Sequence, residues 1–111
     1  MDLEKLASTL KALADPTRLR IIALLNIRDW CVCELVPLFG ISQPAVSKHM
    51  SRLKAVGLVK ETRRGVWVFY SLNKIHLQEV GISLNELMNL RDENELVHRE
   101  DLHVECEGVA T

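Results

Sequence analysis

Leu3, Leu6, Leu10 and Leu13 recur at helical spacing and predict a short amphipathic helix over residues 2–13. Asp15-Pro16-Thr17 then breaks and restarts the chain. Asp15 is a cap, Pro16 suits a first helical position, and Leu19, Ile22, Ala23 and Leu25 make the next stripe, ending near Ile27. Glu34 to Phe39 predicts a short helix closed by Gly40. Pro37 fits only a first turn, so that helix is expected to begin late or to be irregular. Ser42-Gln43-Pro44 repeats the cap-then-proline signal ahead of a helix carrying Ala45, Val46, His49, Met50, Leu53 and Val56, which stops at Gly57. Residues 58–62 and 66–72 are β-rich, and Arg63-Arg64-Gly65 between them reads as a hairpin turn. Residues 74–91 return to helical spacing with Leu77, Val80, Leu84, Leu87 and Met88, although Gly81 weakens that helix by about 1 kcal/mol. Beyond Arg91 the chain is acidic, and Leu96, Val97, Leu102 and Val104 allow at most a further helical turn.

The 111 residues suit one domain, since two would each lack an ordinary core. A hydrophobic share of 48% and a charged share of 26% are those of a soluble globular chain. No apolar run approaches a membrane span, and Met1-Asp2-Leu3-Glu4-Lys5 does not resemble a secretory signal. The expectation is a cytoplasmic protein without a membrane partner. In that compartment the three cysteines serve as thiols, metal ligands or redox sensors rather than structural disulfides.

The net charge of −1 conceals a strong asymmetry. Residues 1–41 are balanced. Residues 42–74 set Lys48, Arg52, Lys54, Lys60, Arg63, Arg64 and Lys74 against Glu61 alone, while residues 75–111 carry nine acids against Arg91 and Arg99. A basic middle is the footprint of a polyanion partner, or else a solvated face with none.

Order and charge together decide between these. Two short helices joined by Gly40-Ile41, then a hairpin with a basic tip, follow the order of a winged helix-turn-helix: mainly α with a β-hairpin wing. A helix about 10–12 Å across enters a major groove about 12 Å wide. Ser42, Gln43, Ser47 and Lys48 lie in the first two turns of the second helix, with His49 beside them. Gln43 suits paired contacts to adenine, and Ser47 and Lys48 suit base edges or phosphate. Arg52 and Lys54 suit backbone phosphate, and Arg63 and Arg64 at the hairpin tip suit a minor groove or phosphate. His49 reads equally as a packing or capping residue, whereas Val46, Met50 and Leu53 belong to the core. Double-stranded operator DNA is the expected partner. No glycine-rich phosphate loop, acid/base pair or nucleophile motif supports an enzyme.

Four stretches carry a family resemblance: Leu13-Ala14-Asp15-Pro16-Thr17-Arg18-Leu19-Arg20, Cys31-Val32-Cys33-Glu34-Leu35, Ser42-Gln43-Pro44-Ala45-Val46-Ser47-Lys48-His49-Met50 and Arg64-Gly65-Val66-Trp67-Val68-Phe69-Tyr70. In this order they resemble the ArsR/SmtB family of metal-responsive repressors, from about residue 3 to residue 91. The resemblance implies a homodimeric winged helix that binds operator DNA without effector and releases it with effector. It divides the chain into a DNA-binding and dimerisation domain, 1–91, and an acidic tail, 92–111. The residues themselves also favour a homodimer through the N-terminal and last long helices. Both carry apolar stripes that one small core cannot cover, and a two-fold dimer sets two reading helices about 34 Å apart; the alternative is a self-contained helical cap within one chain.

Cys31 and Cys33 are the chemical centre. Two neighbouring soft thiolates suit As(III), Sb(III), Cd(II) or Pb(II). Residues two apart on a regular helix lie about 200° apart around the axis, so both sulfurs reach one ion only where the turn is not regular helix. The expectation is that an effector holds or imposes a distorted start to the helix over Glu34–Phe39 and thereby moves the reading helix. A helix N-terminus also favours the thiolate. The alternative is a pair of small apolar fillers beside Trp30 and Leu35.

The pair most resembles the family's arsenic and cadmium/lead sensors. Arsenic sensors often place a third cysteine three residues on, where this chain has Val36, so a third ligand comes from Cys106, in cis or across the dimer, or from solvent or a small thiol. The cadmium/lead branch typically adds N-terminal cysteines, and none occurs here. Zn(II) would need paired ligands on the last long helix, and neither His76 with Glu79 nor His98, His103 and Cys106 matches the family's zinc pattern. The reading is therefore an As(III)- or Sb(III)-responsive repressor. Competitors are a Cd(II), Pb(II) or Zn(II) sensor, a thiol redox sensor, and a constitutive DNA-binding or protein-interaction module with inert cysteines.

Overall fold

The computed structural model describes residues 1–90. Five helices and a small antiparallel sheet follow one another as α1 (Leu3–Leu13), α2 (Pro16–Ile27), β1 (Trp30–Cys31), α3 (Val32–Phe39), α4 (Gln43–Ala55), β2 (Val59–Arg64), β3 (Trp67–Leu72) and α5 (Lys74–Met88). The order is that of a winged helix-turn-helix, mainly α with a hairpin wing.

Local chemistry sets the helix starts. Asp2 accepts the Lys5 N–H at 2.7 Å, Asp15 the Arg18 N–H at 3.0 Å ahead of Pro16, and Ser42 the Ala45 N–H at 3.3 Å. Each satisfies a donor that the first turn leaves unpaired. Gly40 closes α3 in the left-handed region (φ 65°), and its N–H returns to the Val36 carbonyl at 3.0 Å.

The core lies where α2, α3, α4 and the sheet meet. Ile21, Leu35, Val46, Met50, Leu53 and Leu58 are fully enclosed, with Ile22, Leu25, Val59 and Tyr70 around them. Val46, Met50 and Leu53 are thus core residues, as their spacing predicts. The stripe on α2 is shifted from its predicted phase: Ile21 is inside, while Leu19 and Ala23 are exposed. The helix has apolar residues on several sides, so periodicity alone does not fix which side packs. The α1 stripe is likewise recentred, with Leu6, Thr9 and Ala12 buried and Leu3, Leu10 and Leu13 half-buried.

Three elements depart from the sequence expectation. First, α3 starts at Val32 rather than Glu34, and Pro37 lies inside it rather than in its first turn. A capping box makes the early start possible. Cys31 Sγ accepts the Cys33 N–H at 3.3 Å, and Glu34 Oε1 accepts the Cys31 N–H at 2.9 Å. Second, Arg63 and Arg64 are strand residues. The turn is Gly65-Val66, between Arg64 and Trp67, with Gly65 at φ 64° in its first position, where a hairpin needs a left-handed residue. Third, two residues add an edge strand. Trp30 and Cys31 pair with Tyr70 and Phe69, giving the sheet order β1-β3-β2.

At the far end, α5 runs through Gly81 and stops at Met88. Of its predicted stripe only Val80 is buried, beside Ser83. Leu84 and Met88 are exposed, as are Ile75 and Ile82. Among the described residues no helix is long and apolar enough to cross a membrane.

Candidate nucleic-acid interface and thiol site

Helix α4 divides its surface three ways. Val46, Met50 and Leu53 face the core. Gln43, Ser47 and Ser51, spaced i, i+4, i+8, line one flank, with Gln43 Nε2 donating to Ser47 Oγ at 3.0 Å. Ala45, Lys48, His49 and Arg52 line the other. Ser42, Gln43, Lys48 and Arg52 are exposed, and Ser47 is half-buried. The predicted contact residues of this helix therefore fall on both sides of one outward ridge, the shape that enters a major groove.

The remaining predicted contacts are placed differently. Lys54 meets Glu61 at 3.7 Å, and Glu61 also accepts the Tyr70 hydroxyl at 2.9 Å. The single acid of the basic middle segment is thus engaged twice. Arg63 and Arg64, neighbours on β2, point to opposite faces. Arg64 stacks over the Phe69 ring at 4.7 Å and lies 3.6 Å from Asp29, so it packs against the sheet instead of standing free at a hairpin tip. Arg63 lines a cleft with the thiols. His49 is held from behind: its Nδ1 lies 3.2 Å from Arg18 Nη1 and 3.8 Å from Asp15 Oδ2. The packing reading of His49 is thereby realised on its Nδ1 edge.

The cleft has a volume of about 640 Å³ between α3, the flank of α4 and the wing. Cys31 and Cys33 open onto it together with Val36, Gln43, Ser47 and Arg63. Cys31 is buried at 4% exposure, whereas Cys33 is exposed. The two are joined as a disulfide, with Cα atoms 5.1 Å apart. A three-residue ring removes little freedom from an unfolded chain, so this bond is chemistry rather than a staple. The sulfurs meet because Cys31 is extended backbone (φ −81°, ψ 146°) ahead of the helix while Cys33 is in its first turn. A strand-to-helix junction therefore brings them together, in keeping with the expectation that the two sulfurs meet only where the turn is not regular helix.

A charged network supports this junction. Arg28 holds Glu34 through two contacts at 3.2 and 3.0 Å and lies 3.5 Å over the Trp30 ring, while Trp30 Nε1 donates to the Leu24 carbonyl at 2.9 Å. The Arg28 hydrogen bond and then the Cys31 N–H keep the Glu34 carboxyl below its ordinary range. Sequence reading missed Arg28 and the capping role of Glu34. The Cys31-x-x-Glu34 spacing carries the signal, with cysteine in the place of the usual serine or threonine.

Tyr70, in the same cleft wall, is pushed up to about 12, by burial first and then by its hydrogen bond to Glu61. Its protonated form stabilises the fold fully below pH 10, and that contribution is lost as pH rises through about 12. Tyr70 is the only tyrosine, so an alkaline absorbance titration of the folded protein isolates it. The midpoint is expected near 12, and a midpoint near 10 would refute the burial account. Glu61→Gln should lower the midpoint without restoring the ordinary value.

Cys106, His98 and His103 lie outside the described residues. Among the described residues no three His, Cys, Asp or Glu side chains converge on one point. His76 Nδ1 lies 3.6 Å from Glu79 Oε2, a two-residue pair.

A winged helix-turn-helix with an exposed basic face on α4 defines the class of a DNA-binding regulator, and Cys31 and Cys33 lie in a cleft beside that helix. Comparison with known proteins bears out the class. Residues 15–61 match the family described as bacterial regulatory protein, arsR family. The chain is 38% identical to the uncharacterized HTH-type transcriptional regulator MJ1325 of Methanocaldococcus jannaschii, over 76% of this chain and 96% of that one. It is 36% identical to the arsenical resistance operon repressor of Staphylococcus xylosus, over 84% and 88%. The solved ArsR-like transcriptional regulator from Rhodococcus sp. RHA1 superposes with a TM-score of 0.70 at 28% identity, covering 88% of each chain. The chain belongs to the ArsR family of DNA-binding transcriptional regulators; it is a repressor of that family and not an enzyme.

Proposed function

We propose that this repressor senses As(III) or Sb(III) through Cys31 and Cys33 and leaves its operator when they are occupied. The observation that carries this reading is the opening of both sulfurs onto the cleft lined by Gln43 and Ser47 of α4. Once reduced, the pair offers two adjacent soft thiolates, a donor set that fits a thiophilic trivalent ion. Cys31 Sγ also caps α3. A ligand on that sulfur competes with the cap, and α3 packs on α4 through Leu35, so the start of the sensing helix and the seat of the reading helix are one mechanical unit. The third ligand is Cys106, in cis or from a partner subunit, or a small thiol or solvent. The arsenical resistance repressor among the relatives supports the same effector class.

The test is operator release followed by fluorescence anisotropy on reduced protein, titrating arsenite, antimonite, Cd(II), Pb(II), Zn(II) and peroxide. Release by arsenite or antimonite supports the reading, and release only by the divalent ions transfers it to Cd(II), Pb(II) or Zn(II). A second reading, thiol redox sensing, is favoured by the bonded sulfurs themselves. Peroxide converts the two thiols to a disulfide and is reduced to two waters, and dithiothreitol would reverse the release.

The same reading makes the protein a cytoplasmic homodimer, with residues 1–91 as its DNA-binding and dimerisation unit and residues 92–111 as an acidic tail. Ile75 and Ile82, seven residues apart and so on one side of α5, are 72% and 59% exposed, an apolar face suited to a second copy. Sedimentation should give twice the 12.6 kDa chain mass, and Ile82→Glu should give the monomer while leaving the fold intact. A native monomer at micromolar concentration would overturn the dimer.

A further inference from the structure

The flank of α4 remote from the thiols carries a second feature. Arg18, Ala45, Lys48, His49 and Arg52 enclose a cleft of about 370 Å³. No acidic residue lines it. Among the described residues no carboxylate oxygen lies within 4.0 Å of the side-chain nitrogens of Arg18, Lys48 or Arg52. These three permanent cations form no side-chain ion pair among the described residues, although the nearby Asp15 carboxylate feels the Arg18 charge.

Arg18 differs from an ordinary surface arginine in being fixed from two sides. Its Nε donates to the Ala12 carbonyl near the end of α1, and its Nη1 meets His49 Nδ1 at 3.2 Å. Asp15 does not neutralise it by a side-chain pair, since that carboxylate accepts the Arg18 backbone N–H at 3.0 Å and lies beside His49. The Nη2 group has no partner among the described residues. A guanidinium so anchored has already lost the conformational freedom that binding an anion would otherwise cost.

The contact also dictates the state of His49. A guanidinium only donates, so His49 Nδ1 must accept, and the neutral ring then carries its proton on Nε2. The ring thus has an N–H donor on the edge away from Arg18.

We infer that Arg18, with Lys48, His49 and Arg52, forms a clamp for a backbone phosphate of the DNA duplex beside the reading helix. A helix lying in the major groove is flanked by two phosphate backbones. The wing and Arg63 lie on the Gln43/Ser47 side of α4, and the Arg18 cleft lies on the other. The inference adds a residue outside the helix-turn-helix and assigns His49 to phosphate rather than to a base edge. It rests on the DNA-binding reading.

The test needs no operator. Reduced protein is bound to a mixed-sequence duplex of about 30 bp across a salt series. Each neutralised phosphate adds about 0.9 to the slope of log affinity against log salt. Arg18→Gln should lower the slope by about 0.9 per protomer. Between 20 and 200 mM salt the native protein should therefore lose about eightfold more affinity per protomer than the variant. Arg18→Lys, which keeps the charge, should restore most of the slope. Nitrogen-15 spectra should place the His49 proton on Nε2 in native protein and show mixed tautomers in Arg18→Gln. A lowered thermal midpoint with an unchanged slope would make Arg18 structural and overturn the clamp. If Arg18→Gln does not fold, an Arg18→Lys slope equal to native with His49 still on Nε2 supports the clamp, and a native His49 proton on Nδ1 overturns it. Failure of the native protein to bind the duplex at low salt would instead sink the DNA-binding reading itself.

Discussion

Arsenite should weaken the operator complex of the reduced protein by roughly 5–150-fold, the usual span of coupling between two sites, and should leave Cys31→Ser and Cys33→Ser unmoved. The serine variants are clean because neither should unfold the chain. Cys31 is the N-cap of α3, and serine is among the preferred residues at a cap. Cys33 is exposed in the first turn, so an oxygen there leaves no buried group unpaired. What both variants lose is a soft ligand, which a hydroxyl does not replace. Cys106→Ser separates the third ligand: a weaker arsenite response assigns it to Cys106, and an unchanged one assigns it to solvent or a small thiol. The complementary change is Val36→Cys, since Val36 lines the same cleft and stands three residues after Cys33. Release by arsenite that persists in both Cys31→Ser and Cys33→Ser would end the thiol reading.

Leu35→Ala should cost about 2–5 kcal/mol of folding stability, the range for deleting a large buried aliphatic side chain. Leu35 is 0% exposed, between the thiol-bearing start of α3 and the buried side of α4. The loss would be a large part of the stability of a domain this small. Urea unfolding should show a lower midpoint with little change in slope. Leu38, on the same helix but 54% exposed, is the control, and Leu38→Ala should stay within about 0.5 kcal/mol. Equal effects at the two positions would mean that α3 does not pack as described. Because Leu35 belongs to the core shared by α3 and α4, its truncation should also weaken operator binding under conditions where the variant is still folded.

Much of this architecture is legible in the chain because its signals are local. Asp15-Pro16 and Ser42-Gln43-Pro44 announce two helix starts, and both residues cap as read. Val46, Met50 and Leu53 are recognisable as core by spacing alone. The pairing of Cys31 with Cys33 is suggested by their spacing, but the shape of the junction that joins them is not. Convergence of the sulfurs depends on an extended Cys31, and a two-residue strand has no periodicity to read. Arg64 was misplaced at a turn because Gly65 marks a bend without telling which neighbours flank it, and its partners Asp29 and Phe69 are supplied by tertiary packing. Arg18 lies 31 positions from His49, and no local pattern announces a contact at that separation.

The short strand β1 has a consequence for how such a regulator can be retooled. It is an edge strand, paired only with β3, and the β2–β3 ladder that forms the wing closes without it. Side chains at β1 can therefore be exchanged without breaking the wing ladder. On the proposed thiol reading, a change of analyte would be written at this strand-to-helix junction, and α3 and α4 would have to readjust to it together, because Cys31 caps α3 and shares its cleft with Gln43 and Ser47.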